Sequence, residues 1–183
     1  MWWEDTGLQW VPTSPHIPNA STVLFCAATG ILGELDAVNI GVGYTLPFQL
    51  VGTPWIDASH FAQTLNAKKI AGVSFRPIIY TPFYGAMQGK QVGGAQIYIV
   101  DRDEANLVNI QFTIAQTMAE LNHGKSIFAL SDSSRIKMFD KVMGTDAVRL
   151  ALESNVPVEE IVSRWEKDIH RFIAIRKKYL MYE

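Results

Sequence analysis

The chain has 183 residues, of which 48% are hydrophobic and 19% charged, with a formal net charge of −2. This composition predicts a folded domain with a real core, and it argues against disorder. The near-neutral charge argues against nucleic acid as a partner, and no run approaches the roughly 18 apolar residues of a membrane span. With one cysteine, Cys26, and four scattered histidines, we expect no disulfide, no metal site and no cofactor.

The first residues have the composition of a connecting segment. Pro12, Pro15 and Pro18 come at regular spacing and predict an extended, proline-braced linker over residues 1–20. Three tryptophans lie within the first ten residues, so they either cover the core or mark a missing neighbour. Residues 21–183 are predicted to form a single domain.

The first half of that domain is predicted to alternate between short helices and strands. Ser21 is a favourable N-cap before a helix, Gly30 is placed to end it, and Asp57 or Ser59 can cap a second one. A later β-branched and aromatic run predicts a strand interrupted at Pro77. In chain order we expect a helix over 22–29, strands over 38–40 and 48–51, a helix over 60–67, and strands over 73–81 and 95–100.

The second half of the domain is predicted to be helical throughout. We expect helices over 108–121, from Asp132 or Ser133 to 142, and over 146–153. A last long helix is predicted over 158–179, with an inner face of Ile161, Trp165, Ile169, Phe172 and Ile175. The prediction is an α/β fold, or alternatively α+β, with a mixed sheet from the first half packed against helices concentrated in the second.

The run from Glu34 to Asp57 carries the clearest functional signal. It interrupts the apolar pattern with glycine, proline, aromatic and small polar residues, which suits the sharp turns and exposed hydrogen-bonding groups of a binding cleft. A long connecting loop with a buried tryptophan anchor is the alternative. The Gly41-Val42-Gly43 pair does not indicate a nucleotide site, because no third glycine opens a helix after it.

Carboxylates and aromatic residues offer two further hints. Glu34 and several aspartates lie at loops or strand ends, and most glycosidases use a pair of carboxylates around the sugar bond. From spacing alone, helix capping and salt bridges are the favoured explanation of each of these carboxylates. Aromatic rings near turns can stack on sugars, although core packing is the favoured explanation for any single ring.

Six segments, in order, resemble the NamZ family of bacterial exo-β-N-acetylmuramidases over roughly residues 10–182. They are WVPTSPHIP, GVGYTLPFQLVGTPWID, FRPIIYTP, GGAQIYIVDR, FDKVMGTDAVR and RKKYLMY. Family members have an N-terminal α/β part with much of the catalytic machinery and a C-terminal part that helps form the cleft, and they remove terminal N-acetylmuramic acid from peptidoglycan fragments. The chain resembles the C-terminal part.

This resemblance implies a sugar-binding domain with a peptidoglycan-derived sugar as ligand. It also implies an N-terminal catalytic domain packed against the linker, and an extracytoplasmic location in the periplasm or at the cell surface. From their acidic composition, the first residues of this sequence are not expected to form a signal peptide. The substrate-binding candidates are Asn39, Thr45, Trp55, Asp57 and Arg76. Glu34 is the candidate catalytic acid.

The chain departs from the family pattern within the candidate site. Val42 stands where the family typically has an arginine, a permanently charged donor suited to a substrate carboxylate. A second hypothesis is therefore a degenerate, non-catalytic carbohydrate-binding or protein-interaction module. A small stand-alone enzyme of other chemistry is a third, for which the sequence offers no constellation.

Overall fold

The computed structural model describes residues Trp2 to Met181, and this part of the chain combines a three-stranded sheet with seven α-helices. The mixed class predicted from the sequence is confirmed, in the α+β form because every strand pair is antiparallel. The strands are β1 (Leu50–Thr53), β2 (Val73–Tyr80) and β3 (Val92–Ile99). The helices are α1 (Thr22–Gly33), α2 (Ala58–Ala67), α3 (Leu107–Leu121), α4 (Ser133–Met143), α5 (Ala147–Glu153), α6 (Val158–Ser163) and α7 (Glu166–Arg176). Within these described residues, no helix is both long and apolar enough to cross a membrane.

The sheet has the order β1-β3-β2, so β3 lies in the centre. Gln96 on β3 is the register partner of both Leu50 on β1 and Arg76 on β2, so these three residues form one row across the sheet. Because side chains alternate between the two faces of a strand, their neighbours Phe75 and Ile97 belong to the opposite face, which is buried in the main core.

The main core joins that inner face to the helices. α2 packs on β2 and β3, while α1 packs on α3. Fully buried Phe61 and Leu65 from α2 and Phe112 and Ile114 from α3 belong to this single cluster. The outer face of the sheet carries a second, smaller cluster of Leu50, Tyr80 and Val92 with partly buried Tyr44, Leu46, Ile78 and Met87 packed against it.

Local signals predicted several helix starts correctly. The Asp57 carboxylate accepts a hydrogen bond from the His60 amide at the start of α2, at 2.7 Å. The Asp132 carboxylate accepts from the Ser134 and Arg135 amides at the start of α4. These caps satisfy amides that have no partner inside the helix, which explains why residue type alone located them.

Strand boundaries in the first half were predicted less well. Phe48 has a φ of 65°, a left-handed conformation that prevents the extended strand from beginning before Leu50. The strand over 38–40 is wrong, because only an isolated bridge from Asn39 to Gly52 forms there. Pro77 does not interrupt β2, since β2 is an edge strand, where a missing amide hydrogen is tolerated.

Two helix predictions also need correction. α1 continues past Gly30 to Gly33. The long helix over 158–179 is in fact α6 and α7, separated by a turn at Arg164–Trp165. The predicted inner face is confirmed only at its start, where Ile161 is buried and Trp165 packs edge-on against Phe112. The rest of that face is exposed, by 45%, 61% and 45% at Ile169, Phe172 and Ile175.

The N-terminal linker contacts the domain at more than one point. Trp3 and Trp10 stack edge to face, with ring centroids 5.1 Å apart. The Arg102 guanidinium lies over the Trp2 ring at 4.3 Å, and its Nη1 atom is 3.3 Å from a Glu4 carboxylate oxygen. Two of the three tryptophans therefore pack against each other, and the third lies against the arginine that follows β3.

Candidate functional site: two loops joined by a buried asparagine

Asn39 is the hub of the segment that the sequence singled out. Its side-chain Nδ2 donates to the carbonyls of Val42 and Ala86 at 3.1 and 2.9 Å. Its Oδ1 accepts from the Gly41 amide and the Tyr80 hydroxyl, each at 2.8 Å. An asparagine amide has two donor hydrogens and two acceptor lone pairs, so this network uses all four.

The network joins two loops at one end of the sheet. We define the loop pair as residues 41–49, which precede β1, and residues 81–91, which connect β2 to β3. The Phe83 amide donates to the Gly43 carbonyl at 2.9 Å, next to the Asn39 bond to Ala86. Gly43 has a φ of 88°, and a Cβ atom there would collide with the Tyr84 carbonyl. Glycine is therefore required for this close approach.

Burial makes Tyr80 a permanent donor in this network. The ring is 4% exposed, and burial raises the pKa of its phenol well above the usual range, although a hydrogen bond with the Gly41 backbone partly opposes this. The hydroxyl therefore stays protonated at neutral pH and donates to Asn39. Tyr80 therefore helps to hold the loops in place through its hydrogen bond to Asn39.

An aromatic surface borders the loop pair. Phe83 is 66% exposed and packs edge to face on Tyr84 at 4.9 Å. The Tyr84 hydroxyl is 2.7 Å from Nδ1 of His16, so the N-terminal linker is attached to this loop. On the inner side Tyr44 packs against Tyr80, with ring centroids 5.2 Å apart. The exposed ring faces are suited to stacking on the apolar face of a sugar.

The structure places the predicted binding residues in three groups around this end and the middle of the sheet. Asn39 and Thr45 belong to the loop pair and its hub, and Thr45 is exposed. Trp55 and Asp57 lie in the connection from β1 to α2, where Trp55 is 40% exposed and Asp57 caps the helix. Arg76 lies mid-strand, exposed, and its Nη2 donates to Gln96 Oε1 at 2.7 Å.

The loop residues and Arg76 are related through the outer face of the sheet, whereas no contact joins Trp55 and Asp57 to that face among the residues that the structure describes. Leu50, in the same row as Gln96 and Arg76, lies in the small cluster beneath Tyr44 and Leu46. The 41–49 loop therefore covers one part of this face, and Arg76 stands in a row that continues from the covered part to the strand edge. The anchored guanidinium retains further N–H donors that can bind an anion or hydroxyl.

Glu34 lies apart from these groups, at the C-terminal end of α1. It is partly buried, and its carboxylate makes no hydrogen bond or ion pair with any residue between Trp2 and Met181. The same part of the chain holds no cluster of three or more His, Cys, Asp or Glu side chains that could bind a metal ion. Cavities of about 670 and 570 Å³ occur elsewhere, and none of the six predicted residues lines either.

Sequence reasoning missed the residues that build the site from within. Tyr80, Gln96 and His16 are not among the residues that the sequence predicts for the site. A detectable signal existed for Gln96, because it is a polar residue inside the apolar run AQIYIV. No local signal pairs His16 with Tyr84, since they are 68 residues apart in sequence.

Comparison with known proteins gives the family. The model described as "Exo-beta-N-acetylmuramidase NamZ, C-terminal" matches residues 24–182. This chain belongs to the NamZ C-terminal domain family. It is 34% identical over 179 residues to the peptidoglycan β-N-acetylmuramidase NamZ of Bacillus subtilis, covering 98% of this chain and 42% of that protein.

Solved structures agree with this assignment. A DUF1343 family protein from Bacteroides fragilis, known at 1.65 Å, superimposes with a TM-score of 0.95 and 38% identity over 100% of this chain and 48% of the other. A second protein of that family from the same organism gives a TM-score of 0.65 at 23% identity, over 94% of this chain and 44% of the other, and shows a similar fold. The chain thus spans less than half the length of each relative that it matches.

Proposed function

We propose that this chain is the cleft-forming, sugar-binding C-terminal domain of an exo-β-N-acetylmuramidase-like peptidoglycan glycosidase. The observation that carries the proposal is the match to a peptidoglycan β-N-acetylmuramidase over nearly the whole chain. The proposed product is terminal N-acetylmuramic acid released from cell-wall fragments. An extracytoplasmic location, in the periplasm or at the cell surface, is part of the proposal.

The exposed side chains supply the chemistry that such a sugar needs. The Arg76 guanidinium is proposed to bind the substrate carboxylate, because Gln96 fixes it on one side and leaves its other donors free. The Trp55 ring offers a stacking face, and the Thr45 hydroxyl and the free oxygen of Asp57 offer hydrogen bonds. Asn39 is proposed to act indirectly, by holding the loops, because its own hydrogen bonds are all used.

Catalysis is proposed to depend on an N-terminal domain packed against the linker that contains His16. Hydrolysis of a sugar bond needs an acid to protonate the leaving oxygen and a second carboxylate on the other side of the sugar. Glu34 is the candidate acid within this chain. Because it stands apart from the other predicted residues, the second carboxylate is proposed to come from the N-terminal domain.

A non-catalytic binding module is the second candidate, and Val42 favours it. The Val42 side chain packs against the main core, so this position presents no charged donor to a ligand. The same fold and loop pair could then bind a carbohydrate or a protein without supporting hydrolysis.

A chimera distinguishes the two candidates. The matched 42% of B. subtilis NamZ is replaced by this chain, and release of N-acetylmuramic acid is measured from a disaccharide of N-acetylmuramic acid and N-acetylglucosamine. Turnover supports the glycosidase role, and we then expect Arg76→Ala to lower kcat/KM by about 10- to 100-fold, as for loss of a charged hydrogen bond. Arg76→Lys keeps the charge but loses the planar, two-pronged donor geometry of the guanidinium, so its kcat/KM should fall between those of the unsubstituted chimera and Arg76→Ala.

The chimera must be shown to fold, which cooperative thermal unfolding and NMR of the C-terminal part establish. A folded chimera without turnover, together with saturable binding of the disaccharide by this chain alone, supports the non-catalytic module. A folded chimera with neither turnover nor binding refutes sugar binding by this domain.

A further inference from the structure

A polar groove lies at the opposite end of the sheet from the loop pair. One face of α3 lines it, together with the turn at 68–71 between α2 and β2 and the segment 155–159 that leads into α6. That turn precedes the first residue of β2, whereas the 81–91 loop of the loop pair follows its last residue. The eight residues of β2 therefore separate the two places by about 25 Å at 3.3 Å per residue.

The lining residues on α3 form a ladder of polar side chains. Asn106, Asn109, Thr113 and Gln116 recur at helical spacing along one face. The ladder spans about 15 Å, because ten residues rise 1.5 Å each. The groove volume is about 670 Å³, within the range of sites that hold a small ligand.

One group in this ladder lacks a partner. The Asn109 Oδ1 atom is buried and accepts no hydrogen bond from any residue that the structure describes. A buried acceptor left unpaired is costly, and nearly all such groups in folded proteins are satisfied. Because the carboxamide torsion is broad, a small rotation can turn this oxygen toward a donor in the groove. The vacant acceptor points to a ligand with N–H donors.

The charges around the groove are of both signs and only partly paired. Lys68 Nζ lies 2.6 Å from a Glu120 carboxylate oxygen. Lys69, Glu104 and Glu159 line the same groove and form no ion pair with any residue from Trp2 to Met181. A ligand that carries both a carboxylate and an ammonium group would satisfy these side chains.

From these observations we propose that the groove binds a short extended peptide with free charged ends. The Asn109 carboxamide presents one donor group and one acceptor group, which is the same pair that a peptide bond presents. At the ends of the ladder, Asn106 Oδ1 accepts from the Asn109 amide and Gln116 Nε2 donates to the Val156 carbonyl, which leaves the other polar atom of each carboxamide for a ligand. A ladder of about 15 Å matches four to five extended residues at about 3.3 Å each. No aromatic side chain lines the groove, whereas aromatic faces are common in carbohydrate sites. This proposal stands independently of the glycosidase function.

Binding is tested on the 183-residue chain by 15N NMR titration with three probes. These are tetraalanine with free ends, the same peptide acetylated and amidated, and N,N′-diacetylchitobiose. We expect saturable shifts at the Asn109, Thr113 and Gln116 amides with the free-ended peptide, weaker binding of the capped peptide, and no such shifts with the sugar. Absence of saturable shifts with tetraalanine, or shifts at these amides with the sugar alone, overturns the proposal.

Two variants separate recognition from folding. Asn109→Ala should weaken peptide binding by about tenfold, as for loss of one hydrogen bond to a buried group. It should not lower the melting temperature, because it removes an unpaired buried acceptor. Lys69→Ala should weaken binding of the free-ended peptide but not of the capped one. Lys137 is an exposed lysine on α4 outside the groove, so Lys137→Ala should change the affinity for neither peptide. Unchanged affinity in Asn109→Ala contradicts the assignment.

Discussion

Replacing Asn39 by alanine should destabilise the protein far more than replacing an ordinary surface asparagine. The substitution removes four hydrogen bonds and leaves the buried Gly41 amide and Tyr80 hydroxyl without their side-chain acceptor. The Val42 and Ala86 carbonyls lose a donor as well, but both residues are partly exposed and water can replace it.

The magnitude follows from the two buried donors. Each buried group left unpaired costs about 1–3 kcal/mol. The Tyr80 hydroxyl keeps a contact of 3.3 Å with the Asn39 backbone carbonyl, so its cost lies at the lower end. We therefore expect a loss of about 3 kcal/mol in the free energy of unfolding, or about 10 °C in Tm for a domain of this size.

Urea unfolding followed by tryptophan fluorescence, together with a thermal melt, measures this difference. Asn66→Ala is the matched control, because Asn66 also bonds backbone through its carboxamide, accepting from the Phe75 amide and donating to its carbonyl. Asn66 is exposed and bonds the backbone of β2 at the edge of the sheet, so water can replace both bonds, and we expect a loss of about 1 kcal/mol. If the two variants lose the same stability, or if Asn39→Ala changes it by less than about 0.5 kcal/mol, Asn39 is not the hub that we describe.

Two further predictions concern the backbone and the pH dependence. Gly43→Ala should cost about 3 kcal/mol, because its Cβ would collide with the Tyr84 carbonyl at a positive φ. Gly85→Ala should cost only about 1 kcal/mol, because Gly85 is also left-handed but its Cβ would meet only the Val42 Cγ1 atom, in an ordinary contact of 3.9 Å. Equal losses in urea unfolding would show that the close approach at Gly43 is unimportant. Hydrogen bonds, first of all from the Ser134 hydroxyl, lower the pKa of the Asp132 carboxyl in the folded protein. The stability that the Asp132 carboxylate confers is therefore present above the pKa of Asp132 in the unfolded chain, and it is lost as the pH falls through the pKa in the folded protein. The urea midpoints of wild type and Asp132→Ala should therefore converge toward low pH; a difference that stays constant down to pH 2 would contradict this reasoning.

Helix starts were predictable from the sequence because their causes are local. Asp57 and Asp132 each bond an amide two or three residues ahead, so residue type and spacing suffice to find them. The course of β1 was not predictable in the same way. Its start depends on the left-handed turn at Phe48, whose carbonyl accepts a hydrogen bond from the Thr29 hydroxyl on α1, 19 residues away.

The C-terminal helix shows the limit of apolar periodicity. Ile169, Phe172 and Ile175 are spaced as a buried helix face would be, and the pattern therefore predicted burial. In the described part of the chain, α7 has no buried residue. Periodicity reveals that a helix has an apolar face, but it does not reveal whether the same domain covers that face.

The candidate site was predictable as a segment but not as an arrangement. The unusual composition between Glu34 and Asp57 correctly marked backbone that turns sharply. That segment contacts the 81–91 loop through Asn39, which bonds the Ala86 carbonyl. Asn39 also accepts a hydrogen bond from Tyr80, which lies 41 residues later in the sequence. Only the three-dimensional structure shows that the amide of Asn39 is fully occupied, which changes its expected role from binding sugar to holding the loops.

The hydrogen bonds that fix the loop pair do not involve the exposed side chains that are proposed to bind sugar. The loop pair is fixed by backbone atoms, because Asn39 bonds the carbonyls of Val42 and Ala86 and the Phe83 amide bonds the Gly43 carbonyl. None of these bonds depends on which side chain stands at position 42. These bonds therefore require no particular side chain at position 42, and a TM-score of 0.95 to a relative constrains the scaffold without deciding activity. The choice between glycosidase and binding module therefore rests on exposed side chains such as Arg76 and on the lack of a charge at Val42, and the chimera tests it by substituting Arg76 without altering the hydrogen bonds that hold the loops.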